Sequence, residues 1–345
     1  MKAMVRHTYG SPDVLKAAQL DTPTPKDDEV LLRVRAASVN AADWRLLRAD
    51  PFLARLDVGL LKPRNTILGF DVAGEVAAVG GAVSRFHVGD AVFGNLYELR
   101  GGAFAEYVAV PERLLVKMPA NLTFEQAAAV PMAAVTALRG LTTQQALKPG
   151  DRVLINGASG GVGTFAIQIA KAYGAEVTAV VSSRNVDLAR SLGADHVIDY
   201  TRESFVRRDE RYDVILAVNG YQPIWEYWRA LRSGGRYVMA GGSAAQLFQA
   251  MALGPLISRT GDVRLGTLET KPGRDDLEIV KDLIEAGQVT PVVDRCYSLS
   301  EVPDAIRYLE EGHARGKVVV VVGDELAARG ESRATVAVMP VTSSI

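Results

Sequence analysis

From Asp151 onward the chain alternates short apolar runs with helical stretches, and this alternation limits the possible fold more than any other feature. "RVLING" leads into "GVGTFAIQIAKAYG", "EVTAVV" into "RNVDLARSLGA", and "HVIDY" follows. "YDVILAV", the helical "QPIWEYWRALR" and "RYVMAGG" come next, and "DVRLGTL" offers a sixth strand at a sheet edge. Near-continuously apolar strands joined by helices require a parallel sheet covered on both faces. The helical runs close in "YGA" and "LGA", with glycine at the expected C-terminal stop.

"VLINGASGGVG" lies between the first of these strands and its helix, and it fits the spacing Ala158, Gly160, Gly163 of a dinucleotide turn. Ala158, Ser159, Gly160, Gly161 and Val162 form the loop in which backbone N–H groups can approach a pyrophosphate. The helix beginning near Val162 directs its positive end at that charge, and Gly163 lets it pack closely on the strand. An ordinary tight turn is the alternative, which the strand–turn–helix context disfavours.

The second strand decides which dinucleotide is expected. A carboxylate at its end reads the ribose hydroxyls of NAD and would repel the phosphate of NADP. Here "EVTAVVSSRN" ends in no acid. Ser182 and Ser183 offer hydroxyls, and Arg184 offers a planar fork suited to phosphate oxygens. Tyr200, at the end of the third strand, can join the same pocket, so the expected cofactor is NADPH. A solvated Arg184 and a surface Tyr200 are the plain alternatives.

The first ~120 residues read differently, as short strands broken by Gly and Pro, such as "EVLLRVRAASV", "DVAGEVAAVG" and "DAVFG". Thr123 with Gln126 forms a helix cap, and Pro131 should break the Ala-rich helix that follows. Lys plus Arg (39) nearly balance Asp plus Glu (40), which gives no support to a nucleic-acid partner or an anionic membrane surface. No run approaches the ~20 apolar residues needed to span a bilayer. The single cysteine, Cys296, excludes an internal disulfide and any multi-cysteine zinc site, and favours a cytoplasmic setting. The start "MKAMVRHTYG" lacks the apolar core of a signal peptide.

These motifs, with "AASVNAADWRLLRAD", "ILGFDVAGEVAAVG", "VSRFHVGDAVFG", "GGAFAEYVAVP", "SLGADHVIDY" and "GKVVVVV", resemble the medium-chain dehydrogenase/reductase superfamily. The likeness is to its zinc-free quinone oxidoreductase branch and runs from Met1 to about Val322. It implies an α/β protein: a GroES-like β-rich catalytic domain over 1–124 and 290–325, and a doubly wound six-stranded Rossmann domain over 125–289. The segment 326–345 is expected to be a flexible tail. The resemblance also implies a homodimer joined through the Rossmann sheet edge, and an active site in the cleft between the domains.

The zinc alcohol dehydrogenases of that superfamily hold a metal through Cys, His and a third ligand. Here those positions read Asn40, Phe70 and a place near Met132, and although Asp71 is kept, one carboxylate makes no zinc site. No metal is therefore expected, and hydride transfer from NADPH to an already electrophilic quinone or enone is the chemistry that remains. By resemblance, Asn40 and Thr136 contact the nicotinamide ribose or amide, and Lys317 lies near the cofactor. Asn219 and Ala240, Gly241 and Gly242 follow the fourth and fifth strands, where ligands sit in open α/β sheets. Asp43 is a candidate catalytic group or a hydrogen-bond partner of Asn40. Tyr97 and Tyr107 are further proton-donor candidates, and Trp44 either walls the acceptor pocket or packs in the core. The four histidines stand in no triad or metal spacing. Two other readings stay open: a 2-alkenal or enoyl reductase, and a crystallin-like protein that binds NADPH without turnover.

Overall fold

The computed structural model describes residues 1–323 apart from 51, 53, 54, 144, 220, 221, 243, 261 and 269–272. The tail expected over 326–345 lies outside the described residues. The described residues divide into two compact units: 1–132 with 273–281 and 291–323, and 133–268 with 282–290.

The first unit opens with an antiparallel hairpin of β1 (Lys2–Val5) and β2 (Lys16–Gln19). The long β3 (Glu29–Val39) ends at Asn40, which begins α1 (Ala41–Arg48), followed by the short α2 (Arg55–Val58). Then come β4 (Asp71–Val79), β5 (Ala91–Asn95), β6 (Tyr107–Pro111), β7 (Leu115–Lys117) and α3 (Phe124–Ala128). Thr123 and Gln126 close the expected cap: the Gln126 N–H donates to Thr123 Oγ1 at 3.3 Å and the Thr123 N–H to Gln126 Oε1 at 3.0 Å. Pro131 opens a new helix, α4 (Pro131–Thr142), where its missing N–H costs nothing.

The second unit carries the βα alternation: β8 (Arg152–Asn156), α5 (Gly161–Ala172), β9 (Glu176–Val181), α6 (Val186–Ser191), β10 (His196–Asp199) and β11 (Tyr212–Ala217). It continues with α7 (Ile224–Arg229), β12 (Leu231–Met239), α8 (Ala244–Thr260) and β13 (Arg264–Thr267). Among the described residues the six strands pair in parallel in the order β10-β9-β8-β11-β12-β13. The helix stops behave as the glycines predict. At Gly174 (φ 78°) the Ala175 N–H returns to Ala170 O and the Gly174 N–H to Lys171 O; Gly193 and Ala194 repeat the pattern. Helix α8 escapes the sequence pattern because its Gly254–Pro255 pair reads as a break.

After α9 (Arg274–Glu285) come β14 (Val293–Ser298), α10 (Val302–Glu310) and β15 (Lys317–Val321). The last strand, which lies in the segment 290–325 that the resemblance places with the N-terminal domain, pairs with β3 of the first unit. There the sheet order is β14-β15-β3-β4-β5-β7, with β6 on β3. All five residues of β15 are buried, and burying each of its four valines contributes roughly 1.5–3 kcal/mol. This anchors Lys317 at the strand's start. The fold expected from the sequence, a GroES-like sheet and a doubly wound Rossmann sheet, is the one observed.

Candidate active site

In the first unit strand register gathers a buried polar cluster. Val318 pairs with Val39, so Lys317 falls beside Asn40; Ser38 pairs with Asp71, and Asp71 with Asn95. The Lys317 ammonium donates to Asn40 Oδ1 at 2.5 Å and lies 3.4 Å from Asp71 Oδ2. The Asn40 Nδ2 donates to Asp71 Oδ2 at 2.9 Å, as does Ser38 Oγ. The other oxygen, Asp71 Oδ1, accepts from Asn95 Nδ2 at 2.7 Å and from the Met132 N–H at 2.9 Å. Asp71 is 0% exposed and Lys317 3%.

Asp43 sits beneath this cluster. Its Oδ2 accepts from the Asn40 N–H at 2.8 Å and its Oδ1 from the Gly69 N–H at 3.0 Å, so it caps α1 and ties the helix start to the chain before β4. Burial pushes the Asp43 carboxyl up to about 7, and burial likewise lowers the Lys317 ammonium. With both oxygens on backbone donors, the carboxyl positions Asn40. Tyr97 packs tilted against Phe70, with centroids 5.4 Å apart and planes at 45°, and its N–H is held by Asn95 Oδ1 at 2.9 Å. Tyr107 lies on β6 opposite Arg33, and Trp44 packs against the core. All four histidines are exposed.

The donor set around Asn40 does not fit a zinc ion. The amide is bonded through both of its atoms, Phe70 has no ligand atom, and both Asp71 oxygens are taken. A cation, Lys317, already balances that carboxylate. Among the described residues there is no cluster of three or more His, Cys, Asp or Glu suited to a metal.

In the second unit the strand ends align. Asn156 is level with Val180 and Ala217, Ala217 with Met239, and Val181 with Asp199. The loops carrying Ala158 to Val162, Ser182 to Arg184, Tyr200, Asn219 and Ala240 to Gly242 therefore collect along one sheet edge. A Cβ at Gly163 would meet Gly157 O at 2.3 Å, so glycine there is a packing requirement. At Gly160 a Cβ would meet nothing nearer than Gly157 O at 3.8 Å, at a φ of −83° that any residue adopts. The protein itself does not need glycine at 160. The bare backbone leaves room for a ligand to approach, and the geometry of the turn is compatible with a dinucleotide pyrophosphate.

Gly241 is required by its neighbours, since a Cβ would meet Val218 O at 2.4 Å, and Gly242 has φ 144°. Asn219 is exposed, with its N–H on Asn156 O at 3.2 Å, and Thr136 is half-buried on α4. Arg184 is exposed in the turn after β9; Tyr200 is exposed, with its N–H on Val181 O at 3.0 Å. Ser183 departs from expectation. Its hydroxyl donates to Asp199 Oδ2 at 2.5 Å and also meets Thr201 Oγ1 at 2.9 Å. The acid absent from the end of β9 stands one strand away, covered by hydroxyls. The Ser182 hydroxyl oxygen accepts from Asn185 Nδ2 at 3.2 Å.

Residues 26–120 match the alcohol dehydrogenase GroES-like domain, and residues 192–320 match the family described as zinc-binding dehydrogenase. The NADPH-dependent alkenal/one oxidoreductase of Arabidopsis thaliana is 38% identical over 331 residues, covering 93% of this chain and 79% of its own. The chain belongs to the zinc-free branch of the medium-chain dehydrogenase/reductase superfamily. A second Arabidopsis thaliana member, the chloroplast envelope quinone oxidoreductase homolog, is 34% identical over 340 residues, with 93% and 98% of the two chains covered. The solved quinone oxidoreductase of Coxiella burnetii superposes with a TM-score of 0.83 at 30% identity, covering 94% of this chain and 99% of its own. In this chain Lys317, at the start of β15, supplies the positive charge beside Asn40. The sequence singled out Asn40, Asp43 and Lys317 separately. Ser38 and Asn95, which complete the cluster, were not singled out by the sequence and became visible only through strand register.

Proposed function

We propose that the protein is a metal-independent reductase that uses NADPH to reduce a quinone or a related conjugated carbonyl. The observation that carries this reading is the cradle at Gly160, open where the protein does not need it open, beside a strand end bearing Ser182 and Arg184. When bound there, NADPH supplies the hydride. The chain's own residues bind and orient. Ser182, Arg184 and Tyr200 hold the adenosine phosphate, the 158–162 turn holds the pyrophosphate, and Thr136, Asn219 and the 240–242 loop line the course of the cofactor. Asn40 is fixed by Lys317, Asp71 and Asp43 so that its orientation is set before any ligand arrives, which lowers the cost of reaching a reactive geometry. An acceptor that delocalises the incoming charge needs no Lewis acid.

A second reading, reduction of 2-alkenals, draws support from Tyr97. This phenol is 36% exposed beside Phe70 and can deliver a proton to the carbon next to a carbonyl. The plant relative named for alkenals and enones supports the same chemistry. Oxidation of NADPH and NADH against a panel of 1,4-quinones and 2-enals tests both. Turnover of enals without quinones selects the second reading, and tight NADPH binding with no oxidation by any acceptor sinks both in favour of a non-catalytic binder.

A homodimer joined through the Rossmann sheet belongs to the same reading; β13 ends the strand order there, although its Leu265 N–H is already bonded to Ser258 Oγ at 2.9 Å. No described helix is long and apolar enough to cross a membrane. The lone buried Cys296 supports a reducing, cytoplasmic setting, although both plant relatives carry chloroplast names.

A further inference from the structure

Asn185 lies at the start of α6 and is 4% exposed. Asparagine at such a position ordinarily turns its carbonyl onto the first N–H groups of the helix. Here the side chain makes no cap bond. Its Nδ2 instead donates to Ser159 Oγ at 3.0 Å and to Ser182 Oγ at 3.2 Å, while its Oδ1 is buried without a hydrogen-bond partner. The buried carbonyl is left unpaired, a cost to folding, so what the amide contributes is its two donated bonds.

A serine hydroxyl has one proton and two lone pairs. When an amide N–H fills a lone pair on each of Ser159 and Ser182, neither serine needs to accept from a ligand, and each proton is left to be donated outward. Both serines are only half-buried. One belongs to the glycine turn and the other to the end of β9, so Asn185 ties together the two loops that face the adenosine end of the cofactor. Ser183 cannot substitute, because its own proton is committed to Asp199.

We propose that Asn185 sets the preference for a phosphorylated cofactor by polarising Ser159 and Ser182 as hydrogen-bond donors. A phosphate monoester accepts only, so two outward donors favour it. A ribose hydroxyl, which donates and accepts, gains less. This inference rests on the NADPH reading above and assigns Asn185 a positioning role, since it acts through the two hydroxyls.

The test is equilibrium binding, followed by nicotinamide fluorescence, of NADPH and NADH to the parent protein, N185D and N185S. Adenosine 2′,5′-bisphosphate and 5′-AMP serve as competitors. A carboxylate at 185 accepts both serine protons and turns the hydroxyls inward. N185D is expected to raise the NADPH Kd at least tenfold while NADH stays within about twofold, and the bisphosphate should lose its advantage over 5′-AMP. N185S, too short to reach both serines, should lose part of the preference, and it decides the matter if N185D does not fold. An unchanged NADPH-to-NADH ratio in the folded variants overturns the role of Asn185. A parent protein that binds both cofactors equally overturns the NADPH reading instead, so the two failures are distinct.

Discussion

Replacing Lys317 by methionine removes the ammonium from beside Asp71 and keeps most of the side chain's volume. At 3.4 Å the pair attracts by about 5 kcal/mol at an effective dielectric of about 20, and part of this offsets the cost of burying the lysine. After substitution Asp71 keeps four neutral donors, while Asn40 Oδ1 loses its donor at 2.5 Å. A carboxylate left buried without its cation costs about 3–5 kcal/mol, and the retained donors place this case near 3. Trp44 belongs to the first unit and Trp225 and Trp228 to the second. In a W225F/W228F background, urea unfolding followed by tryptophan fluorescence therefore reports the unit that holds the cluster. K317M should lower its stability by about 3 kcal/mol. K317M/D71N should cost about 2 kcal/mol less than the sum of the single changes, because the two residues act on each other. A K317M protein within about 0.5 kcal/mol of the parent, or single effects that simply add, would refute the argument.

Three further expectations follow from the geometry. Gly160→Ala should leave thermal stability nearly unchanged and abolish tight dinucleotide binding, whereas Gly163→Ala should lower stability by roughly 1–3 kcal/mol, because its Cβ would meet Gly157 O at 2.3 Å; melting curves and cofactor titration separate them. The Asp43 carboxyl is raised from 3.8 to about 7 in the folded protein, so between these values the unfolded chain ionises while the folded one keeps its proton. Stability then falls as pH rises through that window, by up to about 4 kcal/mol, and levels off above it; D43N should lack this slope in urea midpoints taken at several pH values. Arg184→Ala should weaken NADPH far more than NADH in equilibrium titration, and equal losses would show that Arg184 does not read the phosphate.

The βα alternation, the glycine turn at 157–163 and the caps at Thr123, Gly174 and Gly193 were legible in the sequence because each depends on neighbours a few residues away. Periodicity marks buried faces, and glycine spacing marks turns, without knowledge of the rest of the chain. The missing acid after β9 was legible for the same reason. What that absence means was not, because Asp199 on the next strand takes up Ser183. Helix α8 was hidden by its internal proline, which packing against β13 overrides.

By itself, then, the sequence determined the two kinds of sheet, the place of the dinucleotide turn and the loss of the metal-binding residues at Asn40 and Phe70. Only the tertiary structure decided that Asn40, Asp71 and Lys317 form one cluster, since Lys317 lies 277 residues from Asn40 and 246 from Asp71. It also decided that Asp43 serves the backbone, and that Asn185 turns from its helix toward two serines. Such arrangements depend on strand register and on which buried donor finds which acceptor, and those choices are made when distant segments pack together.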